Sequence, residues 1–135
     1  MSVYGHIAIG AALGSLTPHP AAALALGVLA HVPADLVSHR DLSRKAELFM
    51  AAAALILYTW LGDLKLTVAL GAVGGALPDI ENLVRLRRHA APEKLFPSHS
   101  GALRHGGARP AWDVAVQLGV AAVTAAWVVW ARAFW

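Results

Sequence analysis

The chain has 135 residues, of which 58% are hydrophobic and 14% are charged. Soluble domains have about 45–50% apolar residues with glycine included and about 25% charged ones, so a chain of this composition cannot cover its surface with polar groups. The isoelectric point is near 9.8, but the charges lie between apolar runs and form no single basic face, which argues against a nucleic-acid partner. We therefore expect a membrane protein rather than a soluble helical domain with an alanine-rich core.

Five apolar segments follow one another, and none has the alternation of a β-strand. They cover residues 3–16, 21–38, 46–61, 64–86 and 111–135. The first is short for a full crossing, which takes about 20 residues, and is expected to be a short or partial span. The sequence predicts an all-α, integral membrane bundle of about five helices, with residues 1–135 forming one domain.

Proline and glycine add detail to two pairs of segments. Pro33 predicts a kink or a helix restart near Val32, and Pro78 predicts a restart that would place Asp79 near a helix N-terminus. Two GxxxG motifs, at residues 10–14 and 71–75, permit close approach of helix backbones.

Basic residues orient these segments. With alternating crossings, nine of the 11 lysine and arginine residues fall on one side: Arg40, Arg44, Lys45, Arg85, Arg87, Arg88, Lys94, Arg104 and Arg109. Only Lys65 and Arg132 fall on the other side, where Trp127, Trp130 and Trp135 suit an interfacial belt. The positive-inside rule makes the nine-residue side cytoplasmic and predicts a multi-pass protein of the cell's inner (plasma) membrane.

The stretch AHVPADLVSH places His31, Asp35 and His39 at four-residue steps, which bring side chains to one helix face. The same topology puts most other candidate ligands at the cytoplasmic face: His6, Asp79, Glu81, His99 and His105. His19 falls in the opposite turn and His89 lies beside two arginines, so both are expected to be solvated. Alone, Asp35 and Asp79 are equally explained as a buried hydrogen-bonded pair or as helix caps. Together, imidazole and carboxylate groups in a chain without cysteine suit zinc, or else manganese or iron.

Four pieces of the sequence, GHIAIGAAL, HVPAD, LPDIEN and HSGALRHG, resemble the membrane-bound metal-dependent hydrolases, which are distantly similar to zinc-dependent phospholipase C. Asn82 stands where that family typically has histidine, and the HVPAD piece precedes the LPDIEN piece instead of following it. The resemblance implies a divalent metal held by a set of six ligands: His6, His31, Asp35, Asp79, His99 and His105.

The resemblance also implies a reaction, the hydrolysis of a phosphoester or lipid-like substrate at the cytoplasmic membrane surface. Asp79 and Glu81 would be catalytic, with Glu81 as general base for a water whose pKa the metal lowers to about 7. Arg85, Arg88 and Arg104 would bind a phospholipid headgroup or a phosphorylated small molecule, unless the arginines serve only to set topology. A non-catalytic metal-binding protein, an ion carrier and an adaptor are the alternatives, and a carrier should distribute its polar residues across the membrane depth.

Overall fold

A computed structural model describes residues 1–37, 42–85, 96 and 110–134, and for residues 81–85 and 110–112 it describes the backbone only. Five helices and no strand are present in these ranges: α1 (Val3–Gly14), α2 (Pro20–Asp35), α3 (Arg44–Leu61), α4 (Leu66–Arg85) and α5 (Pro110–Ala131). The prediction of five helices in five apolar segments is confirmed. The observed helices begin and end within a few residues of those segments, except that α5 ends before Trp135.

The two internal prolines leave their helices unbroken. Pro33 lies inside α2 and Pro78 inside α4, so the predicted helix restarts at these positions are wrong. A proline removes one backbone donor. Pro78 is fully buried, and packing against neighbouring helices holds α4 together there. As a consequence Asp79 lies in the body of α4, and its position as a helix cap is excluded.

Helix α1 is the centre of the bundle and packs against each of the other four helices. It runs antiparallel to α4, since Gly14 lies against Thr67 while Gly75 lies against His6. Helix α2 runs parallel to α4, since Leu24 lies against Gly74 and His31 reaches Gly75 further along both helices. The α1 N-terminus and the ends of α2 and α4 therefore share one end of the bundle.

The two GxxxG motifs face each other across the α1–α4 contact. A Cβ atom built on Gly10 would overlap the Gly71 carbonyl, and one built on Gly27 of α2 would lie 2.8 Å from the Gly75 nitrogen. Real side chains do not tolerate such approaches, so glycine is required where α1, α2 and α4 meet. Small residues at helix contacts are typical of membrane bundles.

The outer surface of the described residues is rich in large apolar side chains. Leu29, Phe49, Ile56 and Val123, from three helices, are each about 70% exposed, at 69, 72, 72 and 70%. One described stretch, Asp113–Ala131, is long and apolar enough to cross a membrane. Three other apolar stretches are shorter: Val3–Gly14, Pro20–Asp35 and Leu66–Ile80.

Candidate metal centre

The buried polar residues lie at one end of the bundle. Among the described side chains, those that are polar or charged and buried are Ser2, His6, His31, Asp35, Asp113 and Gln117. Ser2 precedes α1, Asp35 ends α2 and Asp113 lies in the first turn of α5. The core further along the bundle is made of apolar residues and Tyr58.

Asp35 joins two histidines from two helices. Its Oδ1 lies 3.0 Å from His6 Nε2 of α1, and its Oδ2 lies 3.1 Å from His31 Nε2, one turn back in α2. The two imidazoles stack with their centroids 3.8 Å apart and their planes inclined by 18°. The four-residue spacing of His31 and Asp35 thus places them side by side, as predicted, and all three side chains are at most 2% exposed.

Asp79 completes the cluster from α4. Its Oδ1 lies 3.8 Å from His31 Nε2, and its side chain is 27% exposed, more than those of the other three residues. Single ligand-type atoms of His6, His31 and Asp79 all lie within 4.8 Å of one another. We call His6, His31, Asp35 and Asp79 the His–Asp cluster.

Two backbone contacts reach the His–Asp cluster. His31 Nδ1 donates a hydrogen bond to the carbonyl oxygen of Gly75, 2.8 Å away. The α-amino group of Met1 lies 3.2 Å from Asp35 Oδ1, so a positive charge already offsets part of the carboxylate's charge. The Phe96 ring lies beside His31, with the centroids 6.3 Å apart.

Other polar side chains at this end of the bundle accept hydrogen bonds from residues near the starts of helices. Glu47 of α3 accepts the backbone N–H of Val3 at 3.1 Å and that of Leu42 at 3.1 Å. Gln117 accepts from the backbone and the hydroxyl of Ser2. The first N–H groups of a helix have no partner within the helix, so the contacts of Val3 and Ser2 satisfy donors at the start of α1.

Sequence reasoning missed the polar residues of α3 and α5. Asp113 and Gln117 are four residues apart within the longest apolar segment, the same spacing that drew attention to His31 and Asp35. Polar residues are energetically costly in an apolar segment. Their four-residue spacing was therefore sufficient to identify Asp113 and Gln117 as candidates.

The structure brings together four of the six residues expected to be ligands, namely the His–Asp cluster. Glu81 and Arg85 belong to α4, but their side chains lie outside the described part of the chain. His39, Arg88, His99, Arg104 and His105 lie outside the described residues altogether. His19 is exposed and precedes α2, as expected of a solvated residue.

No protein-family model, curated protein or solved structure matches this chain. The geometry of the described residues therefore carries the functional argument.

Proposed function

We propose that the chain is a membrane-embedded, metal-dependent hydrolase that acts on phosphoesters, with its site at the cytoplasmic face. The observation that carries the proposal is the position of Asp35, whose two carboxylate oxygens each lie within 3.1 Å of a different histidine. These groups come from α1 and α2 and are buried, where an ionised carboxylate is costly, and the Met1 ammonium 3.2 Å from Asp35 offsets only part of its charge.

The donor set fits a zinc ion. Ligand atoms at about 2.0–2.1 Å from a tetrahedral ion are about 3.3 Å apart. The His6–Asp35 and His31–Asp35 separations of 3.0 and 3.1 Å fall just below that spacing, and the His31–Asp79 separation of 3.8 Å falls above it. Ligand-type atoms of His6, His31 and Asp79 also lie within 4.8 Å of one another. Manganese and iron accept the same nitrogen and oxygen donors.

Embedding in a membrane is supported by the distribution of polarity. Large apolar side chains such as Phe49 and Ile56 face outward, while the described buried polar groups gather inside one end of the bundle. Exposing large apolar side chains is unfavourable in water, whereas contact of these side chains with lipid is favourable. The positive charges near the same end, including Arg44 and Lys45 at the start of α3, favour its placement on the cytoplasmic side.

A hydrolytic role assigns tasks to this chain's own residues. A divalent ion held by the His–Asp cluster would supply Lewis acidity toward a phosphoryl oxygen and would lower the pKa of water toward neutrality. Asp79 is the most exposed member of the His–Asp cluster and so is the one a substrate meets first. Glu81, two residues further along α4, is the proposed general base, and Arg85, Arg88 and Arg104 are proposed to bind the anionic substrate or headgroup.

The position of the cluster favours a hydrolase over a carrier. An ion carrier needs polar groups across the membrane depth, but the described buried charged residues lie at one end of the bundle, with an apolar core beyond them. A metal-binding protein without catalytic activity remains the second candidate, because the His–Asp cluster serves that role equally well.

Metal content tests the first half of the proposal. Detergent-purified wild-type protein is expected to hold stoichiometric zinc by elemental analysis, and His31→Ala and Asp35→Asn are expected to lose it. Asp63→Asn is the matched control, because Asp63 is an exposed carboxylate in the turn after α3, far from the cluster. If Asp35→Asn keeps the wild-type metal content and melting temperature, Asp35 is not a ligand.

Activity tests the second half. Phosphomonoesters, phosphodiesters and phospholipids are assayed with zinc, with manganese and without metal. Hydrolysis is expected to require metal and to be lost in Asp79→Ala, so hydrolysis that resists chelators or survives Asp79→Ala contradicts the mechanism. Stoichiometric metal without any hydrolysis would instead support the non-catalytic metal-binding protein.

Single-cysteine labelling tests the topology, since the chain has no cysteine of its own. An impermeant thiol reagent is expected to label Asp63→Cys in intact cells, and Arg88→Cys only after the cells are permeabilised. Labelling of Arg88→Cys in intact cells would place the cluster on the opposite side.

A further inference from the structure

We propose that Gly75 is a positioning residue for the metal centre: its carbonyl oxygen keeps the proton of His31 on Nδ1, which leaves Nε2 as a metal donor. The inference deepens the proposed function and rests on it. It differs in kind from a ligand assignment, because Gly75 acts through His31 and supplies no metal contact of its own.

The hydrogen bond from His31 to Gly75 fixes which ring nitrogen carries the proton. A carbonyl oxygen only accepts, so at a separation of 2.8 Å the Nδ1 atom must be the donor. A neutral imidazole has one N–H, so its Nε2 then carries a lone pair. By contrast, His6 Nδ1 has no hydrogen-bond partner in the described part of the molecule, and the contact there that bears on its tautomer is with Asp35, 3.0 Å from Nε2.

The surroundings of His31 Nε2 suit a lone pair only when a cation is present. This atom lies 3.1 Å from an oxygen of Asp35 and 3.8 Å from an oxygen of Asp79. A lone pair facing two carboxylates is repelled by both, and a divalent ion held by these residues would offset that repulsion. Histidines that bind metals commonly donate their other N–H to a backbone carbonyl in this way.

Only glycine permits this arrangement at position 75. A Cβ atom built there would lie 2.7 Å from the carbonyl carbon of His6, so α1 approaches α4 this closely only because residue 75 has no side chain. The same residue receives the hydrogen bond from α2, and Asp79 follows it by one helical turn. The helices that carry His6, His31 and Asp79 thus have Gly75 in common.

A matched pair of substitutions separates positioning from packing. A Cβ atom at Gly71 would lie 2.9 Å from the Gly14 Cα, so Gly71→Ala introduces a similar backbone overlap one turn further from the cluster. Gly75→Ala keeps the carbonyl oxygen, but its Cβ atom must push the backbone of α1 away beside the cluster. We expect the resulting shift of the Gly75 carbonyl and of His6 to weaken zinc binding by about 10- to 100-fold. Gly71→Ala should weaken zinc binding much less, and an equal loss in both variants would reduce Gly75 to a packing residue and overturn the proposal.

The tautomer itself is measured in the wild-type protein, so the test does not depend on a variant that folds. Histidine ¹⁵N NMR of the zinc-loaded protein is expected to show the His31 proton on Nδ1. The signal is assigned by its disappearance in His31→Gln. A proton on Nε2 in the zinc-loaded protein would overturn the role of Gly75. A wild-type protein that binds no zinc would overturn the proposed function instead, so the two failures are distinguishable.

Discussion

Replacing Gly10 by alanine tests the close approach of α1 and α4. A Cβ atom at this position would lie 2.9 Å from the carbonyl carbon of Gly71 and 3.2 Å from the Gly75 nitrogen. Carbon atoms in ordinary contact are about 3.5–4.0 Å apart, so the two helices must separate by roughly 0.5–1 Å. The obstructing atoms are backbone and cannot rotate away, which places the cost near the top of the usual overpacking range, at about 3 kcal/mol.

The matched control is Gly119→Ala, since a Cβ atom at Gly119 of α5 meets nothing within 4 Å. Alanine is favoured over glycine in a helix by about 1 kcal/mol, and both variants gain this amount. The net expectation is a loss of about 2 kcal/mol for Gly10→Ala and a gain of about 1 kcal/mol for Gly119→Ala. For a chain of this length the difference corresponds to about 10 °C in melting temperature.

Thermal unfolding of the two variants in the same detergent, followed by far-ultraviolet circular dichroism, measures this difference. If Gly10→Ala melts within about 2 °C of Gly119→Ala, less than 1 kcal/mol separates them. The two GxxxG motifs would then not be in backbone contact, and the inferred register of α1 against α4 would be wrong.

Three further outcomes are expected. Tyr58→Phe should lower the stability by about 1 kcal/mol without changing the metal content, because the Tyr58 hydroxyl donates to the Ala121 carbonyl of α5 at 2.8 Å; a change in metal content would contradict the separation of this contact from the cluster. Glu47→Ala should cost about 1 kcal/mol in the same unfolding assay, because it removes an acceptor at the start of α1, and unchanged stability would show that water replaces that acceptor fully. Zinc binding, followed by competition with a chelator, should weaken as the pH falls, because protons compete with zinc for the imidazole and carboxylate groups; affinity independent of pH would exclude these ligands.

The local part of the candidate metal centre was predictable from the sequence. A four-residue step on one helix determines that His31 and Asp35 share a face, whatever the rest of the fold does. Hydropathy likewise predicted the five helices, because each apolar run is bounded by prolines, glycines or charges. The shared helix face and the five helices both depend on residues close together in the sequence, and the structure has both.

The non-local part was not predictable in detail. Glycine spacing indicated that two segments pack closely, but not that Gly75 would receive both the His6 backbone and the His31 ring. The prolines were given too much weight, because propensity rules do not contain the packing that holds α4 intact through Pro78. Contacts such as Glu47 with Val3 link residues 44 apart in sequence, and no pattern within one segment predicts them.

The contact of α1 and α2 with Gly75 of α4 has a consequence for the order in which the helices assemble. His31 and its carbonyl partner are 44 residues apart, with all of α3 between them. During synthesis the α1–α2 hairpin can form early and bring His6, His31 and Asp35 together, but the proton on His31 has no backbone acceptor until α4 packs beside them. On the proposal that the His–Asp cluster holds a metal ion, ion binding and completion of the three-helix contact are linked events, and the ion would also stabilise the folded chain by mass action.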